Sequence, residues 1–245
     1  MKEYYFLCSL PRAGNTLLGS ILNQSKDIKL TANSILPEII YQLYLIKQQE
    51  LFKNFPDHNS YNNIIKNIFD NYYKNWNVNN IITRGIWGTP NNLNLLKSII
   101  KKPKFIILYR PVLECLASFI RIEKPINVEL RCTQLLNKED IIGKSLWSIK
   151  NIIQNKEDHI IIYYKDLVTN TNDTLKKIFN YLEVKFENID TNNLKQFNIN
   201  GISYDDNVLP FNLHTIKTNK IEQNHYKLED YLPTNIIKQY SNLDI

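Results

Sequence analysis

A stretch near the start of the chain, LCSLPRAGNTLLGSIL (residues 7–22), carries side chains suited to binding an anion. Arg12 supplies a permanent cation whose planar fork of donors matches a tetrahedral oxyanion. Gly14 suits a tight turn, and Thr16 can donate both its amide and its hydroxyl group. The pattern predicts a strand, a turn and a helix, and the first amides of a helix favour an anion because they lack internal partners. The stretch is therefore predicted to be a phosphate-binding loop.

The predicted loop nearly matches the P-loop pattern G-x-x-x-x-G-K-[ST], with two departures. Ser9 stands at the position of the first glycine, and Asn15 replaces the lysine. The positive charge lies instead at Arg12, on the other side of Gly14. We therefore predict an intact anion site of a different kind, with contacts from Arg12, Ala13, Gly14, Asn15, Thr16 and Leu17. A strand, turn and helix that bind nothing are the structural alternative.

A second candidate site follows the apolar run KFIILYR (residues 104–110). Arg110 ends the predicted strand, and Ser118 follows eight residues later, about two turns into the next predicted helix. Ligands of open α/β sheets bind at the carboxyl edge of the strands, so Arg110 and Ser118 are predicted to hold a second phosphate beside the first loop. The structural alternative is an arginine that caps a strand end and a serine that faces solvent.

The elements that must position these residues are predicted from apolar patterning. Short apolar runs predict strands at residues 4–10, 80–86, 104–110 and 159–164, with a weaker one at 28–31. Nearly continuous apolar strands are typical of a parallel sheet buried on both faces. Helical patterns lie between them, including one at 61–76 with an apolar stripe and another at 171–182. Strands that alternate with helices predict a three-layer α/β/α sandwich with a central, mainly parallel sheet, similar to the P-loop NTPase fold.

The whole chain, residues 1–245, is predicted to form a single domain, since its length suits one domain and no linker or internal repeat interrupts it. Segment 122–142 shows weak periodicity and mixed charge, and it is a candidate mobile loop. The region 186–245 is predicted to be loop-rich, with a last short helix that starts near Pro233.

Composition and charge exclude several classes of protein. A formal net charge of +6 suits an acidic ligand such as a nucleotide, but the basic residues are too scattered to predict nucleic-acid binding. The three cysteines, Cys8, Cys115 and Cys132, show no spacing typical of a disulfide framework or a zinc site, and buried thiols are predicted. No apolar run reaches the roughly 18 residues of a membrane span, and a strand that starts by Tyr4 leaves no room for a signal peptide. We therefore predict a soluble, cytoplasmic protein with no membrane partner.

The two phosphate elements, together with YYKDLVTNTNDTLKKIFNYLEV (residues 163–184), resemble the sulfotransferases. Members of that family use 3′-phosphoadenosine 5′-phosphosulfate (PAPS) as the sulfuryl donor. The segments NSILPEII, TRGIWG and LHTIK are similar to recurring segments of the bacterial and phage-type branch, and the resemblance extends over residues 6–240. It implies that the first loop cradles the 5′-phosphosulfate and that Arg110 and Ser118 hold the 3′-phosphate. It also implies a C-terminal basic contact to the 3′-phosphate, from Lys217 or Lys220. A sulfuryl group carries less negative charge than a γ-phosphoryl group, so no metal ion is expected.

The general base for the acceptor hydroxyl is left open by the resemblance. Many cytosolic members carry a histidine shortly before the strand that bears the second-site arginine, but this chain reads ITRGI there. Glu38 in SILPEII is the first candidate, with a charge at a helix N-terminus as its structural alternative. His214 in LHTIK is the second, with an ordinary loop histidine as the alternative. Arg84, within ITRGI, is available to contact the sulfuryl group or the acceptor instead.

The resemblance implies an enzyme that moves a sulfuryl group from PAPS to a hydroxyl or amine of a small-molecule or carbohydrate acceptor. Arg12 would steady the charge that develops on the bridging oxygen of the leaving group. One alternative is a magnesium-dependent P-loop kinase of a small molecule, against which stand Asn15 and the absence of an obvious magnesium carboxylate. The other is a non-catalytic relative that retains the nucleotide fold. The sequence predicts neither a particular acceptor nor an oligomeric state.

Overall fold

The computed structural model of the chain describes residues 2–196, 198–199, 202–203, 210–216, 218–222 and 227–245. Within these ranges, five strands pair in parallel to form one sheet, in the order β2-β3-β1-β4-β5. The strands are β1 (Glu3–Ser9), β2 (Ile28–Leu30), β3 (Asn80–Arg84), β4 (Lys104–Tyr109) and β5 (His159–Tyr163). Each predicted strand is confirmed and ends one or two residues earlier than predicted, because the chain turns at once into the loop or helix that follows.

Helices flank the sheet and complete the predicted three-layer α/β/α sandwich. Those in the described ranges are α1 (Asn15–Leu22), α2 (Leu36–Ile46), α3 (Glu50–Asn54), α4 (His58–Lys66), α5 (Ile68–Tyr72), α6 (Pro90–Ile99), α7 (Val112–Glu123), α8 (Val128–Leu136), α9 (Ile141–Gln154), α10 (Tyr164–Thr169), α11 (Thr171–Tyr181) and α12 (Thr234–Tyr240). Consecutive residues of β1, from Tyr5 to Cys8, and of β4, from Phe105 to Leu108, are all buried. Because neighbouring strand residues point to opposite faces, both faces of the sheet are covered. The predicted fold class is therefore confirmed.

The segment 61–76, predicted as one helix with a single buried stripe, is divided into α4 and α5 at Asn67. Asn67 leaves the helical conformation, with a φ of −97° and a ψ of 8°, and it caps both helices. The break shifts the phase of the stripe, so Phe69 is buried whereas Ile64 and Tyr72 are 56% and 44% exposed. The prediction that the whole stripe belongs to the core is therefore wrong at these two exposed positions.

The segment 122–142, a candidate mobile loop in the sequence, contains α8 and the first residues of α9. The Asn127 side chain accepts a 2.9 Å hydrogen bond from the amide of Leu130, as an N-cap does. The buried face of α8 consists of Cys132 and Leu135, so its apolar periodicity is weak. A capped helix therefore occupies the middle of this segment, and its mobility stays a prediction.

The described part of the C-terminal region is mostly irregular, in line with the sequence. Two short strands, β6 (Asn198–Ile199) and β7 (Ile202–Ser203), pair antiparallel. Helix α12 follows Pro233, which occupies the N-cap position close to the predicted start. This region matters for the site because one of its segments reaches back to the first loop.

Two predictions drawn from composition also bear on the fold. Cys8, Cys115 and Cys132 are buried and form no disulfide, as predicted. Burial raises the pKa of the Cys8 and Cys115 thiols to about 12 in each case, so both stay protonated at neutral pH. Among the described residues, no helix combines the length and the apolar character that a membrane crossing requires.

Candidate functional site

The predicted phosphate loop joins the end of β1 to the start of α1. Gly14 occupies the N-cap of α1 with a φ of 97°, and Arg12 also has a positive φ, of 67°, so the backbone turns sharply at both residues. A Cβ atom at Gly14 would lie 2.7 Å from the ring of Tyr164, so space as well as conformation excludes a side chain there. As a glycine, the N-cap residue supplies no side chain to cap α1. The amides of residues 15–17 therefore lack acceptors within the helix and suit an anionic ligand.

Asn15, at the position of the P-loop lysine, stabilises the loop from within. The residue is buried, and its Nδ2 donates a 2.9 Å hydrogen bond to the carbonyl of Leu10. Ala13 is also buried, and its amide donates to the same carbonyl at 3.3 Å. The Asn15 side chain thus holds the turn, and its backbone amide is the group left for a ligand. Thr16 and Leu17 are partly exposed in the first turn of α1.

Arg12 connects the loop to the second predicted phosphate element. Its Nε donates to the Oγ of Ser118 at 3.3 Å, and its carbonyl accepts from Nη1 of Arg110 at 3.2 Å. Its Nη1 donates to the carbonyl of Leu213 at 2.6 Å, which holds a C-terminal segment against the loop. The structure therefore brings Arg12, Arg110 and Ser118 together, as the sequence predicts.

Arg110 follows β4 with only 3% of its surface exposed, and Ser118 on α7 is 2% exposed. Ser118 therefore does not face solvent, and the alternative of a solvent-facing serine is wrong. Arg110 donates from Nε to Oε2 of Glu114 at 2.8 Å, and its guanidinium lies 4.4 Å from the centre of the Tyr164 ring. A buried guanidinium needs such partners, since an isolated buried charge is costly. Glu114 is absent from the predicted site, although a spacing of four residues from Arg110 is typical of a helical ion pair.

Arg84, at the carboxyl end of β3, adds a cation on the other side of the loop. It pairs in the sheet with Leu7 of β1, and its Nη1 donates to the carbonyl of Ala32 at 2.6 Å. Burial lowers the pKa of Arg84 to about 10, and the charge of Arg12 contributes to the shift. Within the part of the chain that the structure describes, Arg84 forms no ion pair with a carboxylate. This edge of the sheet therefore carries a concentrated positive charge at neutral pH.

Glu38, the first candidate for the general base, lies near the same edge of the sheet. It is exposed in the first turn of α2, and its carboxylate accepts a 2.7 Å hydrogen bond from Nε2 of Gln42. The chain enters α2 beside β3, where the amide of Ser34 donates to the carbonyl of Arg84 at 2.9 Å. Within the described ranges, no hydrogen bond or ion pair joins Glu38 to the phosphate loop. Its participation in the site stays a prediction.

His214, the second candidate, lies in the segment that contacts the loop. It is partly buried and directly follows Leu213, whose carbonyl accepts from Arg12. The carbonyl of His214 in turn accepts from Nε2 of Gln196 at 3.3 Å. His214 is therefore the immediate neighbour of the residue whose carbonyl Arg12 contacts. Lys217, the predicted C-terminal contact to the 3′-phosphate, lies outside the described residues.

A parallel sheet flanked by helices, with a loop that joins its central strand directly to a helix, is an α/β fold of the P-loop type. Within that class, the sequence model of the sulfotransferase family matches residues 5–188, about three quarters of the chain. The protein therefore belongs to the sulfotransferase family. The matched range includes Arg12, Arg110 and Ser118 but ends before His214. Family membership favours a sulfotransferase over the kinase alternative.

Solved sulfotransferase structures share the fold over most of the chain. The sulfotransferase domain from the curacin biosynthetic pathway is 16% identical with a TM-score of 0.59, covering 99% of this chain and 97% of that one. Mouse sulfotransferase SULT7A1, solved in complex with PAP, is 14% identical with a TM-score of 0.53, covering 99% and 83%. A sulfotransferase from Alicyclobacillus acidocaldarius is 12% identical with a TM-score of 0.51, covering 77% and 83%. No curated protein sequence matched the chain.

Proposed function

We propose that the protein transfers a sulfuryl group from PAPS to a hydroxyl or amine of a small-molecule or carbohydrate acceptor. The observation that carries this proposal is the contact between the two anion-binding elements, in which Arg12 meets both Ser118 and Arg110. Two adjacent anion-binding elements suit a donor with two separate anionic groups. The mouse sulfotransferase complex with PAP, which is the nucleotide that remains after PAPS has given up its sulfuryl group, supports the same class of ligand.

The residues present fit both ends of PAPS. The first-turn amides of α1 and the guanidinium of Arg12 suit the 5′-phosphosulfate. The guanidinium of Arg110 and the hydroxyl of Ser118 suit the 3′-phosphate, a group that ADP and ATP lack. Glu114 opposes this fit, because its carboxylate already accepts from Arg110. Its side chain is 38% exposed, so it has room to turn toward solvent when a phosphate takes its place.

The residues have distinct roles in the proposed reaction. When bound, PAPS supplies a sulfur atom that bonds to the acceptor oxygen or nitrogen while its bond to the phosphate oxygen breaks and leaves the electron pair on that oxygen. Arg12 stabilises the charge that develops there. We assign the acceptor proton to Glu38, with His214 as the alternative base. The assignment requires no metal ion and no membrane or nucleic-acid partner, and a cytoplasmic location is part of the same proposal.

Thermal unfolding with PAP or ADP tests the proposed donor site. A ligand that binds only the folded state at 100 times its Kd stabilises that state by about 2.7 kcal/mol, which raises the Tm of a chain of this size by roughly 5–10 °C. We expect this shift with PAP and a much smaller one with ADP at the same concentration. Equal shifts, or a larger one with ADP, would contradict a site for the 3′-phosphate. Turnover that depends on Mg²⁺ and ATP would support the kinase alternative.

The ion pair of Arg110 and Glu114 provides a matched pair of variants for the 3′-phosphate site. Arg110→Gln is expected to lower the affinity for PAP about 10- to 100-fold and to leave that for ADP unchanged, since hydrogen bonds to a charged group contribute about 1.5–3 kcal/mol. Glu114→Gln removes the competing carboxylate and should raise the affinity for PAP by up to about fivefold. Calorimetric titration measures both. Weaker PAP binding by Glu114→Gln would mean that Glu114 positions Arg110 rather than competes with the phosphate.

A further inference from the structure

The segment that carries Arg110 joins β4 to α7, and its own side chains leave the start of that helix uncapped. β4 ends at Tyr109 and α7 begins at Val112. Pro111 occupies the N-cap position, and it makes no side-chain cap hydrogen bond. The side chain of a proline offers no oxygen, so the first amides of α7 need an acceptor from another part of the chain. The way in which the two flanking residues are held therefore sets the position from which the Arg110 side chain extends.

Asp244, which follows α12 in the chain, supplies the missing acceptor. Its Oδ1 accepts a 2.9 Å hydrogen bond from the amide of Val112, 132 positions away in the sequence. The same oxygen accepts a hydrogen bond from the hydroxyl of Tyr109. The amide of Ile245 donates to that hydroxyl at 3.4 Å. One carboxylate oxygen therefore joins the residue before Arg110 to the residue that starts α7.

The charge of Asp244 suits this position. A carboxylate at a helix N-terminus is favoured by the helix dipole, and hydrogen bonds to a charged acceptor are stronger than bonds between neutral groups. Tyr109 has only 4% of its surface exposed. Burial raises the pKa of the Tyr109 hydroxyl, and the hydrogen bond to Asp244 raises it further. The hydroxyl therefore keeps the proton that it donates to the carboxylate.

The chain next to Asp244 is fixed by contacts of its own. Leu243 packs against the hydrophobic core, and its amide donates to the carbonyl of Tyr240 at 3.1 Å. The carbonyl of Leu243 accepts a 2.9 Å hydrogen bond from Nζ of Lys150 on α9. Asp244 is thus presented to α7 by a segment that is itself attached to the core. It lies beyond residues 5–188, the range that the family model matches.

We propose that Asp244 is a positioning residue that holds Arg110 in the geometry that the 3′-phosphate of the donor requires, an inference that rests on the proposed function. Asp244 fixes the backbone on either side of Arg110 and does not itself touch the donor. Without this hold the segment adopts the binding geometry for only part of the time, and the apparent affinity falls in proportion to that fraction. The effect is confined to ligands with a 3′-phosphate, since ADP has no group for Arg110 to bind.

Calorimetric titration of the full chain with PAP and, separately, with ADP gives the ratio of the two affinities. Asp244→Ala removes both hydrogen bonds and is expected to lower the PAP-to-ADP affinity ratio about 3- to 10-fold. Asp244→Asn keeps an oxygen that accepts both bonds and should retain most of the ratio. Glu229→Gln removes a carboxylate from an exposed position in the same region and should leave the ratio unchanged.

A double variant separates positioning from a general loss of stability. In a chain that already carries Arg110→Gln, Asp244→Ala should not lower the affinity ratio further, because Asp244 acts through Arg110. A residue that only stabilises the fold would lower the Tm in both backgrounds and would leave the ratio unchanged in each. A further fall of the ratio in the double variant, equal to that in the single variant, contradicts action through Arg110.

Two other results would also overturn the assignment. An unchanged ratio in Asp244→Ala would show that the carboxylate does not position Arg110. A higher ratio in Asp244→Asn would show that its charge opposes the phosphate. If circular dichroism shows that Asp244→Ala does not fold, Tyr109→Phe decides, since it removes one of the two bonds and keeps the ring: a lower ratio supports the assignment and an unchanged ratio overturns it. A wild-type chain that does not prefer PAP to ADP would refute the proposed function itself, which is a separate result.

Discussion

Replacing Arg12 by glutamine is expected to lower the kcat of sulfuryl transfer by about 10²- to 10³-fold, with a smaller loss of PAPS affinity. Charge builds up on the bridging oxygen only as the bond to sulfur breaks, so the interaction with Arg12 is stronger in the transition state than in the ground state. The release of PAP measures turnover, first with water as the acceptor and then with a panel of phenols, alcohols and sugars. The rate with water makes the comparison independent of the physiological acceptor.

Two features of the structure shape the controls for Arg12. Its guanidinium also binds Ser118 and the carbonyl of Leu213, so its loss disturbs the contact between the two phosphate elements. Arg12→Lys retains a point charge and should keep more of kcat than Arg12→Gln, while it loses the forked contacts. A rise in KM for PAPS with an unchanged kcat would contradict the proposed role, because Arg12 would then stabilise the ground state and the transition state equally.

The positions of the two phosphate elements follow from local sequence patterns. A strand, a tight turn and a helix start must place Arg12 and Gly14 at the carboxyl edge of β1, whatever the rest of the chain does. The apolar run before Arg110 makes β4 a buried strand, and parallel strands share one carboxyl edge. Ser118 lies eight residues later, and in the structure it accepts a hydrogen bond from Arg12 of the first loop. Regular spacing and the rules of parallel sheets therefore predict this half of the site.

Other contacts depend on tertiary packing that no local pattern encodes. The bond from Arg12 to Leu213 joins residues 201 positions apart, and the bond from Arg84 to Ala32 crosses between two strand ends. The helix breaks at Asn67 without a proline or a glycine. The apolar stripe of 61–76 therefore predicts one continuous helix and gives no sign of the break. Residues that act through such long-range contacts can be identified from the three-dimensional structure but not from the sequence.

Replacing Glu38 by glutamine is expected to lower kcat by about 10²- to 10⁴-fold, the contribution typical of a general base, and to leave the affinities for PAPS and PAP unchanged. The donor affinities should persist because Glu38 makes no hydrogen bond or ion pair with the phosphate loop in the described ranges. Its carboxylate accepts from Gln42, on the same helix, so it can reorient without breaking this contact to another element. Steady-state kinetics with a hydroxyl acceptor provide the measurement.

His214→Gln is the matched variant for this base assignment. The structure connects this segment to Arg12 through the carbonyl of Leu213 and to Gln196 through the carbonyl of His214, so these backbone contacts survive a change of side chain. We expect His214→Gln to retain most of kcat. If kcat falls in His214→Gln but not in Glu38→Gln, the general base is His214. If both variants retain kcat, the positive charge of Arg12 and Arg84 is the remaining means of activating the acceptor, since neighbouring cations stabilise a deprotonated oxygen. A phenol with a low pKa should then react far faster than an aliphatic alcohol.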